Sequence, residues 1–374
     1  MRQMSRRQFV RSLVGVTTLS IAANTLIACA GASQPSAPAS GGTPALGTPG
    51  VKSSPTSAAQ PASSQPTEAP AAPASPTTAS VAESGPTAAT AGAAEARPTP
   101  PPTPESLPDV VAVTGEKPAA ITEAAVAALG GIERFVGAGK RVVIKPNICV
   151  AAPPEQGATT APEIVAKLVE LCLKAGASDV LVMDYGWSGQ TLSYKMSGIE
   201  AAVKAAGGKM VPIDGRTGYV STPIPKGKFL KEFDIFSEAL TADVLINVPI
   251  AKNHEVTRVT LGMKNLMGLV RDRGTMHQNL GQSIPDVFTV LTPTLTLIDA
   301  TRVMLRYGPA GGRPEYLVVK NTVVASVDTL AADIYAMRFF EDVKPGDIAH
   351  LVEAGKRGLG AADLSKLRIA ELKA

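Results

Sequence analysis

The chain has 374 residues, 36 Lys and Arg against 32 Asp and Glu, a formal net charge of +4 and 4% aromatic residues. Its charges are interspersed in sign and form no basic face of the kind that tracks a phosphodiester backbone, which sets nucleic acid aside as a partner. Cys149 and Cys172 are too few for a disulfide framework and form no CxxC pair, so neither an iron–sulfur cluster nor a structural zinc is expected.

In chain order, Arg6 and Arg7 precede a mildly apolar run from Leu13 to Ala28. That run is too short and too polar for a transmembrane helix, which needs about 20 apolar residues. It has the build of an export signal with a charged n-region and a short h-region. Leu26-Ile27-Ala28-Cys29 follows and resembles a lipobox, in which the Cys is lipidated and becomes the mature N-terminus. Residues 1–29 are thus expected to direct export by the twin-arginine route. Cys29 would then anchor the protein to the outer face of the cytoplasmic membrane through more than one acyl chain. Twin-arginine export carries folded proteins, often with a cofactor already inserted.

From residue 30 to 108 the chain has no aromatic residue, almost no charge and frequent Pro. Such a segment cannot bury enough apolar surface to offset its ordering entropy, and a disordered stalk is expected. As a flexible coil of about 80 residues it would span on the order of 50 Å.

Residues 109–374 are long enough for one large, well-buried domain. Strands are expected at Asp109–Thr114, Lys140–Lys145, Asp179–Met183, Lys209–Ile213, Val244–Val248 and Leu295–Ile298. Helices are expected at Ala119–Val136, Pro162–Ala175 and Leu192–Ala206, with glycines stopping the last two. This alternation predicts an α/β fold, a mostly parallel open sheet with helices on both faces, and Thr217–Phe236 reads as a β-rich insertion.

Ligands of open parallel sheets collect beyond the carboxyl ends of the strands. Those ends deliver Lys145 and Asn147, Asp184, Asp214, the Pro249–His254 segment and Asp299. Lys145 follows a strand buried on both sides, so its ammonium requires an anionic partner there. Thr159-Thr160-Ala161-Pro162-Glu163 starts a helix, whose free N–H groups suit an anion of the protein or of a ligand. The run DVLINVPIAKNHEVTRVTLGMKNLMG, Asp243 to Gly268, holds the densest set of cationic and amide groups, with Lys252, His254, Arg258, Lys264 and Asn265. A helix over Leu261–Asn265 would put Thr260 and Lys264 on one face. His254 and His277 with Asp299 or Asp184 are ligand types that suit a divalent metal, although no HExxH pair occurs. The three lysines instead suit a carboxylate or phosphate ligand.

Lys145-Pro-Asn147, the Asp243–His254 run, TLGMKNLMG from Thr260, His277, Asp299-Ala300 and DTLAAD from Asp328 together resemble the family catalogued as domain of unknown function 362. The likeness covers most of Asp109 to Leu372. Relatives usually show Lys-Thr-His where this chain has Lys252-Asn253-His254, and many carry a fused ferredoxin module that it lacks. The resemblance marks Lys145, Asn147, Lys252, His254, Lys264, Asn265, His277 and Asp299, and it adds Asp328 and Asp333 as ligand-binding residues. Asp328 also suits a helix cap.

Three functions follow from this set. One is an enzyme, redox or hydrolytic, that holds a small anionic compound on Lys145, Lys252 and Lys264, with His254 as general base or metal ligand and Asp299 orienting it. The others are a lipid-anchored ligand-binding protein and a factor that hands on a metal or cofactor to a redox or maturation partner.

Overall fold

The computed structural model describes residues 101, 104–311 and 313–374, so the expected signal, Cys29 and nearly all of the expected stalk lie outside the described residues. Pro104 to Leu107 already joins the folded unit. Arg368 donates to the carbonyls of Pro104 and Glu105 and pairs with Asp109 at 2.7 Å.

The strands are β1 (Val110–Thr114), β2 (Arg141–Pro146), β3 (Asp179–Val182), β4 (Lys209–Met210), β5 (Tyr219–Pro223), β6 (Glu232–Phe236), β7 (Val244–Val248), β8 (Ile250–His254), β9 (Arg258–Thr260), β10 (Leu295–Met304), β11 (Leu317–Ser326) and β12 (Ile369–Lys373). The main sheet has the order β12-β1-β11-β10-β7-β2-β3-β4, and β5 and β6 form a separate antiparallel hairpin, the β-rich insertion. Pairings from β4 through β3, β2 and β7 to β10 are parallel, as is β1 with β12. Only β11 on this path runs against both of its neighbours.

Helices cover both faces. They are α1 (Pro118–Ala128), α2 (Pro162–Lys174), α3 (Gln190–Met196), α4 (Ile199–Ala205), α5 (Ser237–Thr241), α6 (Gly262–Asn265), α7 (Arg273–His277), α8 (Leu280–Phe288), α9 (Thr329–Ala336) and α10 (Ala349–Lys356). Successive strand residues point to opposite faces, so each strand feeds two cores. Val244, Ile246 and Val248 pack with Ile121 of α1, Leu168 of α2 and Val203 of α4, whereas Leu245 packs on the side of α8, α9 and α10. In α2 the buried stripe is Ile164, Val165, Leu168, Val169 and Cys172, each fully buried aliphatic contributing roughly 1.5–3 kcal/mol. Burial pushes the Cys172 thiol up to about 12, in keeping with a core role. On the other face Asp286 of α8 accepts from the N–H groups of Lys228, Phe229 and Leu230 and pairs with Arg357 at 2.7 Å, which ties the segment between β5 and β6 to the domain.

Glycines explain where expected elements break. The helix over 192–206 is two, α3 and α4, because Gly198 turns at φ 72° between them. The strand expected to end at Ile298 runs on to Met304, which places Asp299 in mid-strand beside a register shift between Ala300 and Arg302. Among the described residues no helix is long and apolar enough to cross a membrane.

Candidate functional site

Pro249 opens the site. Strand β7 pairs with β2 as far as Val248 opposite Pro146, but Pro249 has no N–H to continue the ladder, and β8 proceeds beside β10 instead. It turns at residues 255–257 and returns as β9. Between this hairpin and the carboxyl ends of β2 and β3 lies a cavity of about 280 Å³. Lys252 and His254, two residues apart on β8, face the same way, and Thr260 stands opposite Lys252 on β9. The structure therefore replaces the helical pairing expected for Thr260 and Lys264 with a strand end followed by α6, and both side chains still reach the cavity.

Six of the residues singled out from sequence, Lys145, Asn147, Lys252, His254, Lys264 and Asn265, line this one cavity and are buried; His277 lines it from an exposed position. The inner groups are wired together. Lys145 Nζ lies 2.6 Å from Asp184 Oδ1 and donates to the Pro146 carbonyl at 2.8 Å and to Asn265 Oδ1 at 3.1 Å. Burial pushes its ammonium down, against the pull of Asp184. Asn265 also takes Asn147 Nδ2 on its oxygen and donates to Asn247, a buried amide in the apolar run of β7 that pattern reading passed over. Lys252 Nζ donates to Asn147 Oδ1, the carbonyls of Ala158 and Pro309, and Cys149 Sγ at 3.3 Å. It has no carboxylate partner among the described residues.

Lys264 differs from both. It is nine-tenths buried, yet no hydrogen bond or ion pair engages its ammonium among the described residues. Burial first, then Lys252 and Lys145, push it down to about 8, with Cys149 opposing. The Thr260 hydroxyl, which lines the same cavity, is buried without a hydrogen-bond partner among the described residues. Arg273, which sequence reading missed, lines the mouth with its guanidinium 3.4 Å from the centre of the Tyr185 ring. Four cations thus face one carboxylate, Asp184, a balance of +3.

The imidazoles have fixed roles. His254 Nδ1 accepts from the N–H groups of Val256 and Thr257, so the proton of the neutral ring sits on Nε2. Burial and the charges of Lys264 and Lys252 push His254 down to about 3, which keeps it neutral. In that state it is a hydrogen-bond donor, which corrects the expectation of a general base or metal ligand. His277 has the opposite tautomer when neutral, because its Nδ1 donates to the Arg273 carbonyl at 2.6 Å.

The other aspartates lie elsewhere. Asp299 is buried and accepts from Ala161 N–H at 2.8 Å and from both N–H and hydroxyl of Thr301, so it caps the start of α2 and does not orient His254. Burial pushes its carboxyl up. The metal set with Asp299 is therefore not assembled; Asp184 lines the cavity with both imidazoles but is paired with Lys145, and no group of three or more His, Cys, Asp or Glu among the described residues is placed to hold a metal. Asp328 caps α9 through Ala331 N–H and also binds Ala361 N–H. Asp333 caps α6 through Gly262 and Met263. Neither touches the cavity, and Asp214 closes an exposed turn on Arg216 and Thr217.

Fold and site together define an α/β protein with a donor-lined cavity at the carboxyl ends of parallel strands. Residues 142–338, more than half of the chain, match the family described as domain of unknown function (DUF362), and the chain belongs to that family. It is 26% identical over 254 residues to a thylakoid-associated protein of Synechocystis, covering 63% of this chain and 74% of that one. Among solved structures it is similar to the lactate racemase apoprotein from Thermoanaerobacterium thermosaccharolyticum, with 12% identity and a TM-score of 0.35. That match covers 63% of this chain and 58% of the other.

Proposed function

We propose that this is an exported, lipid-anchored protein whose α/β domain holds a small anionic compound in the lysine-lined cavity. The observation that carries the reading is Lys264. Its side chain is nine-tenths buried and carries into the cavity an ammonium that no group of the described residues pairs, and a ligand anion supplies that partner. Calorimetric titration of the full chain with small carboxylates and phosphates tests it. Lys264→Met is expected to weaken binding by at least about tenfold, the effect of one lost charge-assisted hydrogen bond. Because the ammonium is the binding form, affinity should hold below pH 8 and fall as pH rises through it. Equal affinity of wild type and Lys264→Met for every anion would remove the reading.

The anchor rests on Arg6, Arg7 and Cys29. Cys29→Ser should move the protein from the membrane to the soluble extracytoplasmic fraction, and replacing Arg6 and Arg7 by Lys should leave it in the cytoplasm. Unchanged fractionation of both variants would contradict the address.

A second reading, catalysis on the bound anion, draws on the same side chain. A lysine near 8 has an appreciable neutral-amine fraction at pH 7 to 8 and is equipped to take a proton or attack a carbonyl. Borohydride treatment with an α-keto acid would leave a mass adduct on Lys264 if it attacks a carbonyl; absence of the adduct leaves binding as the preferred role.

A further inference from the structure

From the unspent hydrogen-bonding groups of the cavity we infer that its ligand is a phosphate monoester borne on a small planar ring, an assignment that rests on the anion reading above. At the buried end the side-chain oxygens of the amides and the carboxylate each already face a donor or a cation of the protein. Asn147 Oδ1 is taken by Lys252, Asn265 Oδ1 by Lys145 and Asn147, and the two Asp184 oxygens by Lys145 and the Ile148 N–H. What remains unspent donates: the ammonium of Lys264, the hydroxyl of Thr260 and the Nε2–H of His254. Three donors match a head group that presents three oxygens, where a carboxylate presents two. The uncompensated charges of Lys252, Lys264 and Arg273 favour a dianion over a monoanion.

The mouth is built differently. Trp187, the single tryptophan of the chain, is 58% exposed there, and its backbone N–H donates to the Cys149 carbonyl at 2.9 Å. Tyr185 and Met267 line the same cavity. An exposed indole at the rim of a cationic cavity presents a flat apolar surface to whatever is attached to the head group. The volume of about 280 Å³ equals on the order of nine waters, more than a bare phosphate needs and enough for one ring.

The test uses the purified full chain and four probes: phenyl phosphate, benzoate, benzenesulfonate and inorganic phosphate. Phenyl phosphate should bind at least about tenfold more tightly than each of the other three and should quench the fluorescence of Trp187. By calorimetry, Trp187→Ala should narrow the gap between phenyl and inorganic phosphate to less than about twofold, and Lys264→Met should weaken both. Benzoate or benzenesulfonate binding as tightly as phenyl phosphate would overturn the dianion assignment while leaving the anion site standing. No preference for phenyl over inorganic phosphate would overturn the ring. Failure of all four probes to bind would overturn both this inference and the anion reading.

Discussion

Lys145→Met should destabilise the domain by about 3–5 kcal/mol in urea or thermal melts of the full chain, the range for breaking one side of a buried ion pair. Lys145 and Asp184 are each 1% exposed, and without the ammonium the carboxylate keeps only the Ile148 N–H. The companion change Asp184→Asn in the same chain should recover part of the loss, because the uncompensated charge is then gone. Gly268→Ala probes the same pair sterically. A Cβ there would fall 1.8 Å from Asp184 Oδ1 and 2.8 Å from Lys145 Nζ, side-chain ends that can yield only by parting the ion pair. Its effect should overlap that of Lys145→Met, not add to it. A loss below about 1 kcal/mol for Lys145→Met would show that the pair contributes little.

The second large effect concerns Asp333. Its two oxygens accept from Gly262 N–H at 2.6 Å and Met263 N–H at 2.9 Å and so fix the start of α6, the helix that presents Lys264 and Asn265. Asp333→Ala orphans two buried N–H groups, at about 1–3 kcal/mol each, and should abolish anion binding together with the loss of stability. The group also titrates. Burial pushes its carboxyl from the ordinary 3.8 up to about 7, against the two N–H groups that favour the ionised form. The folded-state value lies above the unfolded one, so the folded protein binds the proton more tightly between them. The contribution of Asp333 is full below about pH 4 and is lost as pH rises through 7. Asp333→Asn should flatten the fall in melting temperature between pH 4.5 and 7.5; an unchanged slope would assign it to other groups.

Much of this architecture is readable from residue order, for definable reasons. The centres of β2, β3 and β7 are apolar because both faces are covered, and polar residues at the ends of such runs, Lys145 and Asn147 above all, belong at a sheet mouth. The hairpin of β8 and β9 left no such trace, since its alternation of Ala251 with Lys252 and Asn253 with His254 carries no apolar period. Asp299 misled because an acid after an apolar run reads as a strand end, while here the strand continues and the acid turns inward to the start of α2. Asp333 and Asn247 act across the fold, on backbone 71 residues away and on Asn265, contacts that no local spacing encodes. The tautomer of His254 depends on two N–H groups of the turn that follows it, which residue identity alone does not specify.

The saturation of Lys145 and Lys252 by protein acceptors has a kinetic side. Neither lysine has to leave a partner or reorganise when a ligand arrives, so the positive potential of the cavity stands ready before the encounter. Capture should then be limited by diffusion in that field. The association rate of an anion is expected to fall steeply as salt is added, while its dissociation rate, set by Lys264 and the groups around it, stays nearly constant.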